Sequence, residues 1–327
     1  MIEAAFHRSA GPPGVTVRET AYDVPERKYM NDLFRTENEI WKRIQSNLLF
    51  IAAAELLIYN GGLMIKYPVS RKINFFTPVV GENYALYYNA NFWMIIPVLL
   101  ALGFMWLTCP GALKALTEGS LKRKLRSLVI GLALGILAMG LLTLLAGISG
   151  TATFRYDGFE WQLIPVIIPL FIQCFAEEVL LRAYVPAVVG EKHSWDVVCF
   201  VSGALFIFHH VLNMIYSGFS AMFCLNVFLL GVLFCLLVRA EGNFWIAAGI
   251  HTGWNYIQSY IFSIEASGNP ATIGAFHGTM NHANGFFHES FGYEGSVTAT
   301  ILATASILWL IYRLNKEGKP DRMLFRN

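Results

Sequence analysis

Three polar segments interrupt apolar parts of the sequence, and each carries side chains that can take part in hydrolysis. The first is FAEEVLLRAYV, in which Glu177, Glu178 and Arg182 stand in an otherwise apolar run. Charged groups are costly in such surroundings. Glu178 and Arg182 are four residues apart, so on a helix they share a face and can pair. Glu177 is turned about 100° away and has no local partner. A buried carboxylate of this kind must bind a proton or find a partner on another helix.

Two further segments offer such partners. LFIFHHVLN contains His210 four residues after Phe206, and AGIHTGWNY contains His251 and Asn255, which are four residues apart and share a helix face. A glutamate can act as a general base on water, and a histidine can orient that water and later give a proton. A His–Asn pair can donate hydrogen bonds to a developing oxyanion. The three segments together are typical of hydrolytic chemistry.

Each feature also has a structural interpretation. A Glu–Arg pair can be a clamp within one helix, a lone histidine is often a satisfied core residue, and an asparagine in a span often bridges helices. Three such groups on three apolar helices favour a functional site, because intramembrane ionisable residues are functional by default. His209 adjoins His210 and would point about 100° away from it; the spacing from Phe206 favours His210.

The composition is that of a polytopic membrane protein. Hydrophobic residues make up 55% of the chain and charged residues only 14%, against about 25% in soluble domains, and the mean hydropathy is +0.49. The net charge of +2 is too small to indicate a nucleic-acid partner. The five cysteines lie in or beside apolar segments without a CxxC pair, so we expect buried free thiols rather than disulfides.

Apolar runs of about 20 residues predict membrane-spanning helices. We predict an all-α transmembrane bundle with about eight spans. They are residues 47–65, 91–109, 127–149, 161–189, 195–216, 221–239, 243–264 and 297–313. The fourth span contains Pro165, Pro169 and Pro186, which predict a kink or two segments. The GLALG stretch at 131–135 has the GxxxG spacing that permits close helix packing.

The distribution of Lys and Arg predicts the topology. With the N-terminus inside, the inside segments hold 19 of these residues and the outside segments hold 4, so both termini are expected in the cytoplasm. We divide the chain into a cytoplasmic arm (1–46, with an amphipathic stretch from Tyr29 to Ile44), N-terminal membrane helices (47–119), a core (120–315) and a cytoplasmic tail (316–327). The polar connection 265–296 is expected outside.

The three motifs resemble those of a known family. EEVLLR (177–182) has the form EExxxR, FIFHH (206–210) the form FxxxH, and HTGWN (251–255) the form HxxxN. In this order they resemble the CPBP (Abi) family of intramembrane proteases, which includes the type II CAAX prenyl endopeptidases. FGYEGS (291–296) before an apolar span is similar to the end of many bacterial members. The resemblance covers about residues 120–315, and the N-terminal 100 residues carry no motif of this kind.

The resemblance implies a CAAX-protease-like helical core with a site open to the cytoplasmic side or to the bilayer. It implies that Glu177 and His210 activate water and that His251 and Asn255 form the oxyanion site. Glu178 and Arg182 would support that geometry, with Phe206 as the aromatic residue of the second motif. These roles follow from the family likeness and agree with the helix argument, which leaves Glu177 unpaired.

The sequence is compatible with a bound metal ion but does not require one. Glu177, His210 and His251 would be a plausible zinc set with water in the fourth position, and zinc lowers the pKa of such a water to about 7. The family has been described both as metalloproteases and as metal-free glutamate proteases, and HExxH is absent here. We expect no required cofactor. His277, His282 and His288 lie close together in the late polar connection, where a solvated loop is the simpler interpretation.

The sequence therefore predicts an intramembrane endopeptidase in a bacterial plasma membrane. Its partners would be the lipid bilayer and membrane-anchored peptides or proteins, including CAAX-type prenylated ones by the family likeness. The first alternative is a non-catalytic scaffold or bacteriocin-immunity-type protein with the same fold. The second is a proton-coupled transporter that uses Glu177 and the histidines as a relay, against which stands the absence of an inverted repeat.

Overall fold

The computed structural model describes residues 47–117, 119–190, 192–281 and 291–318. This part of the chain is a helical bundle with one two-stranded sheet, which confirms the predicted fold class. The helices are α1 (Leu48–Lys72), α2 (Glu82–Thr108), α3 (Pro110–Thr117), α4 (Leu121–Ile148), α5 (Trp161–Gly190), α6 (Trp195–His209), α7 (Val211–Ser217), α8 (Ala221–Glu241), α9 (Trp245–Asn255) and α10 (Val297–Lys316). A four-residue helix, Thr77–Val80, lies between α1 and α2. The predicted N-terminal arm, with its stretch from Tyr29 to Ile44, lies outside the described residues.

Among the residues that the structure describes, six helices are long and apolar enough to cross a membrane: α1, α2, α4, α5, α8 and α10. The pair α6 and α7, bent by 41°, makes a seventh when it is counted as one span. By this criterion of length and composition, the described residues give six or seven spans where about eight were predicted. The difference is the predicted span 243–264, where the 11-residue α9 continues into a six-residue π-helical segment, Tyr256–Ile261. Together they have 17 residues, at the short end of the range that can cross a bilayer.

The first span is longer than predicted. Helix α1 continues through Pro68 to Lys72, so Lys66 is not in an outside loop but buried in the helix, with 8% of its surface exposed. Close packing against α2 explains part of this burial, because a Cβ atom on Gly62 would lie 2.8 Å from Cβ of Pro97. The long lysine stem can lie along apolar surface while its ammonium group reaches a polar environment.

Helices α4 and α9 pack backbone against backbone. A Cβ atom on Gly131 would lie 2.3 Å from the carbonyl oxygen of Ile246, and one on Gly135 would lie 2.2 Å from that of Ile250. The same closeness holds from the other side, at Gly249 and Gly253 of α9. The close packing predicted for GLALG is confirmed, and it fixes the helix that carries the third motif.

A short antiparallel hairpin lies between the spans. Strands β1 (Ala152–Tyr156) and β2 (Phe276–Met280) pair with Ala152 opposite Met280. The late polar connection is thus partly ordered as a strand. His277 is exposed on β2, opposite Arg155, whereas His282 and His288 lie outside the described residues. None of the five cysteines forms a disulfide; four are buried and Cys224 is half-buried.

Candidate active site

The first motif lies in the middle of α5, where the backbone changes from α-helix (Ile167–Val179) to a π-helical segment (Leu180–Tyr184). The predicted pair is present: Nε of Arg182 lies 3.0 Å from Oε2 of Glu178, and neither side chain is exposed. Single π-helical turns occur frequently at functional sites. The two charges neutralise each other in a place where either one alone would be costly.

The Arg182 guanidinium is enclosed by aromatic rings as well as by its carboxylate. Its Cζ atom lies 4.6 Å from the ring centroid of Phe206 and 5.5 Å from that of Phe234. Its Nη2 donates to the carbonyl oxygen of Gly231 at 3.4 Å. Cation–π contacts of this kind favour a desolvated guanidinium. Phe206 thereby connects the first motif to the second, because its ring also lies 4.9 Å from that of His210.

Glu177 faces the two motif histidines. Its Oε2 lies 3.6 Å from Nε2 of His251 and 3.9 Å from Nε2 of His210, and all three side chains are more than nine-tenths buried. Oε1 of the same carboxylate accepts a hydrogen bond from Nε2 of Gln173 at 3.1 Å. The distances to the histidines are longer than direct hydrogen bonds but within reach of one bridging water. The three helices therefore bring the carboxylate and both imidazoles to one place.

The other nitrogen of each imidazole is already engaged. Nδ1 of His210 lies 2.9 Å from the carbonyl oxygen of Phe206, an acceptor, so Nδ1 carries the proton. Nδ1 of His251 lies 2.9 Å from Oε1 of Glu178, which likewise accepts from it. The hydrogen bond at one ring nitrogen decides the state of the other. In the neutral rings both Nε2 atoms thus present a lone pair toward Glu177.

Asn255 lies one turn after His251 on α9. Its Nδ2 is 3.8 Å from Sγ of Cys174, and its buried Oδ1 has no hydrogen-bond partner among the described residues. A half-turn of the carboxamide about its last bond exchanges these two atoms. The side chain is therefore free to present its N–H group to a new acceptor, as an oxyanion donor must.

A small cavity of about 10 Å³, roughly the room that one water molecule needs, adjoins these groups. It is lined on its polar side by His210, His251, Asn255, Ser267 and Glu294, and on its apolar side by Phe206, Val227, Leu230, Phe234 and Trp254. Glu177 does not line this cavity, but it lies beside the same two imidazoles. The mixture of one apolar wall and a few convergent polar groups is typical of ligand sites.

The possible zinc set was tested against this geometry. Glu177 and the two Nε2 atoms supply the right donor types, and Glu178 behind His251 is the kind of outer partner that zinc histidines have. In the described part of the chain, however, no group of three His, Cys, Asp or Glu side chains is arranged to hold a metal ion. The set as it stands does not fit a closed metal site.

The first span contributes residues that the motifs did not indicate. Tyr59 lies beside Glu177, close enough for its hydroxyl group to interact with the carboxylate. Lys66, two turns further along α1, is in electrostatic contact with the same carboxylate. A π-helical segment, Leu56–Asn60, places this face of α1 toward the bundle. The polar interruptions Glu55 and Asn60 in an apolar run were the available signal.

His209 has a different environment from His210. Its Nδ1 contacts Oε1 of Glu55 in α1, and its ring lies 3.8 Å from that of Tyr59, centroid to centroid. It is therefore a contact between α6 and α1, whereas His210, at the bend between α6 and α7, faces Glu177.

The comparisons with known proteins gave one match, to a family model. No curated protein and no solved structure matches the chain. Residues 159–257 match the family model described as type II CAAX prenyl endopeptidase Rce1-like, and this segment contains all three motifs, so the likeness seen in the sequence is confirmed. The apolar helices and this match together indicate an integral membrane protein. The central segment of the chain is thus similar to the Rce1-like type II CAAX prenyl endopeptidases, which supports an intramembrane endopeptidase of the CAAX type in general.

Proposed function

We propose that the protein hydrolyses peptide bonds of membrane-associated substrates, with Glu177 and His210 activating water and His251 and Asn255 stabilising the oxyanion. The observation that carries this proposal is the approach of Glu177 Oε2 to the Nε2 atoms of His251 and His210, at 3.6 and 3.9 Å. Three atoms that bear lone pairs face one another there. A water molecule, which has two donors, satisfies two of them at once.

The proposed reaction begins with that water. Glu177 accepts a proton from it while Nε2 of His210 holds its orientation, and the resulting hydroxide adds to the carbonyl carbon of the scissile bond. The carbonyl oxygen becomes an oxyanion, to which the Asn255 amide donates. His251 adds a second donor when protonated, and the carboxylate of Glu178 at its Nδ1 favours that form electrostatically. In a buried site such donors act in a low dielectric and contribute a few kcal/mol each.

The pair Glu178 and Arg182 acts by positioning. Arg182 fixes the carboxylate of Glu178, and that carboxylate fixes the ring of His251. Substrates would be peptides or proteins anchored in the bilayer, because the site is buried among apolar helices. CAAX-type prenylated substrates are the class suggested by the family match.

The test is cleavage of a quenched prenylated CAAX peptide by the purified protein in detergent and in liposomes. We expect Glu177→Gln to lower the rate by about 10²–10⁴, the usual contribution of a general base. The matched control is Glu82→Gln, which changes an exposed carboxylate at the start of α2 and should leave the rate unchanged. Equal rates for wild type and Glu177→Gln would refute the assignment of the base.

A chelator arm addresses the metal. Activity that survives chelation and depends on Glu177 indicates a metal-free glutamate protease. Activity lost on chelation and restored by zinc indicates a metalloprotease in which Glu177, His210 and His251 are the ligands to test. No cleavage of this peptide or of a mixture of membrane peptides by the wild type would favour the non-catalytic scaffold.

A further inference from the structure

The late turn between β2 and α10 carries a further buried carboxylate at the site, in addition to Glu177 and Glu178. Glu294 has 4% of its surface exposed and lines the cavity together with His210, His251 and Asn255. Glu177 and Glu294 both interact electrostatically with the two imidazoles. Glu294 lies outside the segment that matches the family model, residues 159–257.

The position of Glu294 is strongly determined by its surroundings. Its Oε2 accepts hydrogen bonds from both the backbone N–H and the hydroxyl group of Ser267, the latter at 2.6 Å. Ser267 itself has φ +51°, a left-handed conformation that residues other than glycine rarely adopt. Such backbone strain persists only where the surrounding structure imposes it, and it is concentrated at functional sites.

The backbone of the same turn is held from α8. The Nδ2 atom of Asn226 donates to the carbonyl oxygens of Glu294 and Ser296, each at 2.8 Å, and Thr300 donates to Oδ1 of Asn226 at 2.6 Å. Asn226 and Ser296 are completely buried. This network fixes the turn, so the carboxylate reaches the cavity from a rigid position.

One oxygen of Glu294 is not used by these contacts. In the part of the chain that the structure describes, the hydrogen bonds to this carboxylate all go to Oε2, and none goes to Oε1. Burial raises the pKa of Glu294 above its ordinary value, while positive charge on His210 or His251 would lower it. The hydrogen bonds from Ser267 also lower this pKa, and on balance the carboxyl group binds a proton more readily than an exposed glutamate does.

The reaction needs a proton for the leaving amine, and the motif residues that can carry one already have other roles: Glu177 takes the proton of the water, and a protonated His251 donates to the oxyanion. When a peptide bond breaks, the leaving nitrogen must take up a proton. The neutral rings of His210 and His251 carry their protons on Nδ1, which is bound to Phe206 and Glu178 respectively, so their Nε2 atoms have none to give. Among the side chains that line the described cavity, Glu294 is the other titratable group.

We infer that Glu294 is the general acid of the site, giving its proton to the leaving amine. This inference rests on the proposed peptide hydrolysis. The proton of the attacking water goes to Glu177, the hydroxide forms the new C–O bond, and the C–N bond breaks as the Glu294 carboxyl group protonates nitrogen. Glu177 then returns its proton to Glu294 through water. One water is consumed, and an acid and an amine leave. Two carboxyl groups in different environments commonly divide acid and base roles in this way.

The experiment compares a peptide with a matched ester in which oxygen replaces the scissile N–H. An alkoxide leaving group with an electron-withdrawing substituent needs little protonation, whereas an amine needs it fully. Purified Glu294→Gln should cleave the peptide about 10²-fold or more slowly than wild type and cleave the activated ester within a few-fold of wild type. The glutamine oxygen can still accept from Ser267, so a merely structural role would be preserved in this variant.

The outcomes separate this inference from the proposed function. Suppose that wild type cleaves the peptide. If Glu294→Gln is then as active as wild type, or is impaired equally on both substrates, the general-acid role of Glu294 is refuted while the proposed function stands. A change in KM without a change in kcat also overturns that role, in favour of substrate binding. Wild type that cleaves neither substrate overturns the proposed function and this role with it. Should Glu294→Gln not fold, wild-type rates on a series of anilides decide, because a general acid makes them depend only weakly on the basicity of the leaving amine.

Discussion

The buried carboxylate of Glu178 joins two helices, because its Oε1 atom lies 2.9 Å from Nδ1 of His251. Its Oε2 atom pairs with Arg182 in its own helix at 3.0 Å. The first and third motifs are therefore connected through one side chain. The order of groups is Arg182, Glu178, His251 and then Glu177, so a positive charge that is fully buried orients the imidazole facing the proposed water.

Replacing Glu178 by glutamine should damage both stability and activity. The amide keeps the size of the side chain but leaves Arg182 as an uncompensated charge with no exposed surface. Breaking a buried pair in this way typically costs 3–5 kcal/mol. We expect a lower midpoint of unfolding in detergent and a loss of cleavage. The double variant Glu178→Leu with Arg182→Met should regain stability but not activity. A Glu178→Gln variant as stable as wild type would contradict this account.

The contact between α4 and α9 should tolerate no side chain at its centre. Gly135→Ala would place a methyl group 2.2 Å from the carbonyl oxygen of Ile250, which displaces the helix carrying His251. We expect at least the 1–3 kcal/mol usual for overpacking, together with reduced cleavage. Gly140→Ala in the same helix meets nothing within 4 Å and is the matched control. Thermal unfolding of the two variants should differ clearly, and equal midpoints would argue against this packing.

The two adjacent histidines should respond differently to substitution. His210→Phe removes a group that faces Glu177, so the folded variant should lose about 10²–10⁴ in rate. His209→Phe keeps an aromatic ring beside Tyr59 but leaves the carboxyl group of Glu55 without its partner, which costs about 1–3 kcal/mol. Its rate when folded should stay within about tenfold of wild type. Cleavage rates and unfolding midpoints should be measured for both variants. A large loss of rate in His209→Phe and none in His210→Phe would reverse the two roles.

The predicted orientation can be tested with single cysteines. Arg155 in β1 is exposed and is expected outside, whereas Lys122 at the start of α4 is exposed and is expected inside. A membrane-impermeant maleimide should label Arg155→Cys in intact cells and Lys122→Cys only after lysis. The native cysteines give a low background because four are buried and one is half-buried. The reverse labelling would invert the topology.

The orientation also affects which side the cavity opens to. Ser267 and Glu294, which line it, belong to the connection between α9 and α10 that is expected outside. The family likeness led us to expect an opening toward the cytoplasm or the bilayer. Labelling of Ser267→Cys from outside, compared with Arg155→Cys, would decide between an opening on the outside and one toward the bilayer.

Much of this protein's fold can be predicted from its sequence alone, because a bilayer restricts the structures that a segment can adopt. Helices must satisfy their own backbone polar groups in lipid, so apolar runs predict helices directly. The i, i+4 spacing of Glu178 and Arg182 predicted their pair, and GLALG predicted close packing. The lack of a local charged partner for Glu177 indicated that other helices must supply one; the prediction that it has no local partner at all is wrong, because Gln173, one turn earlier, donates to it. Periodicity within one helix is sufficient for each of these inferences.

The tertiary structure decided what periodicity cannot express. Glu55 and Lys66 entered the site region because α1 packs against it, and no local spacing relates them to residues more than 100 positions away. The π-helical turns shift the faces of α1 and α5 by interrupting the 3.6-residue period from which faces are read. Glu294 reached the cavity because Asn226 and Ser267 hold an irregular turn in place. Contacts between distant segments are set by packing and by the hydrogen bonds of irregular backbone, and these are properties of the assembled bundle.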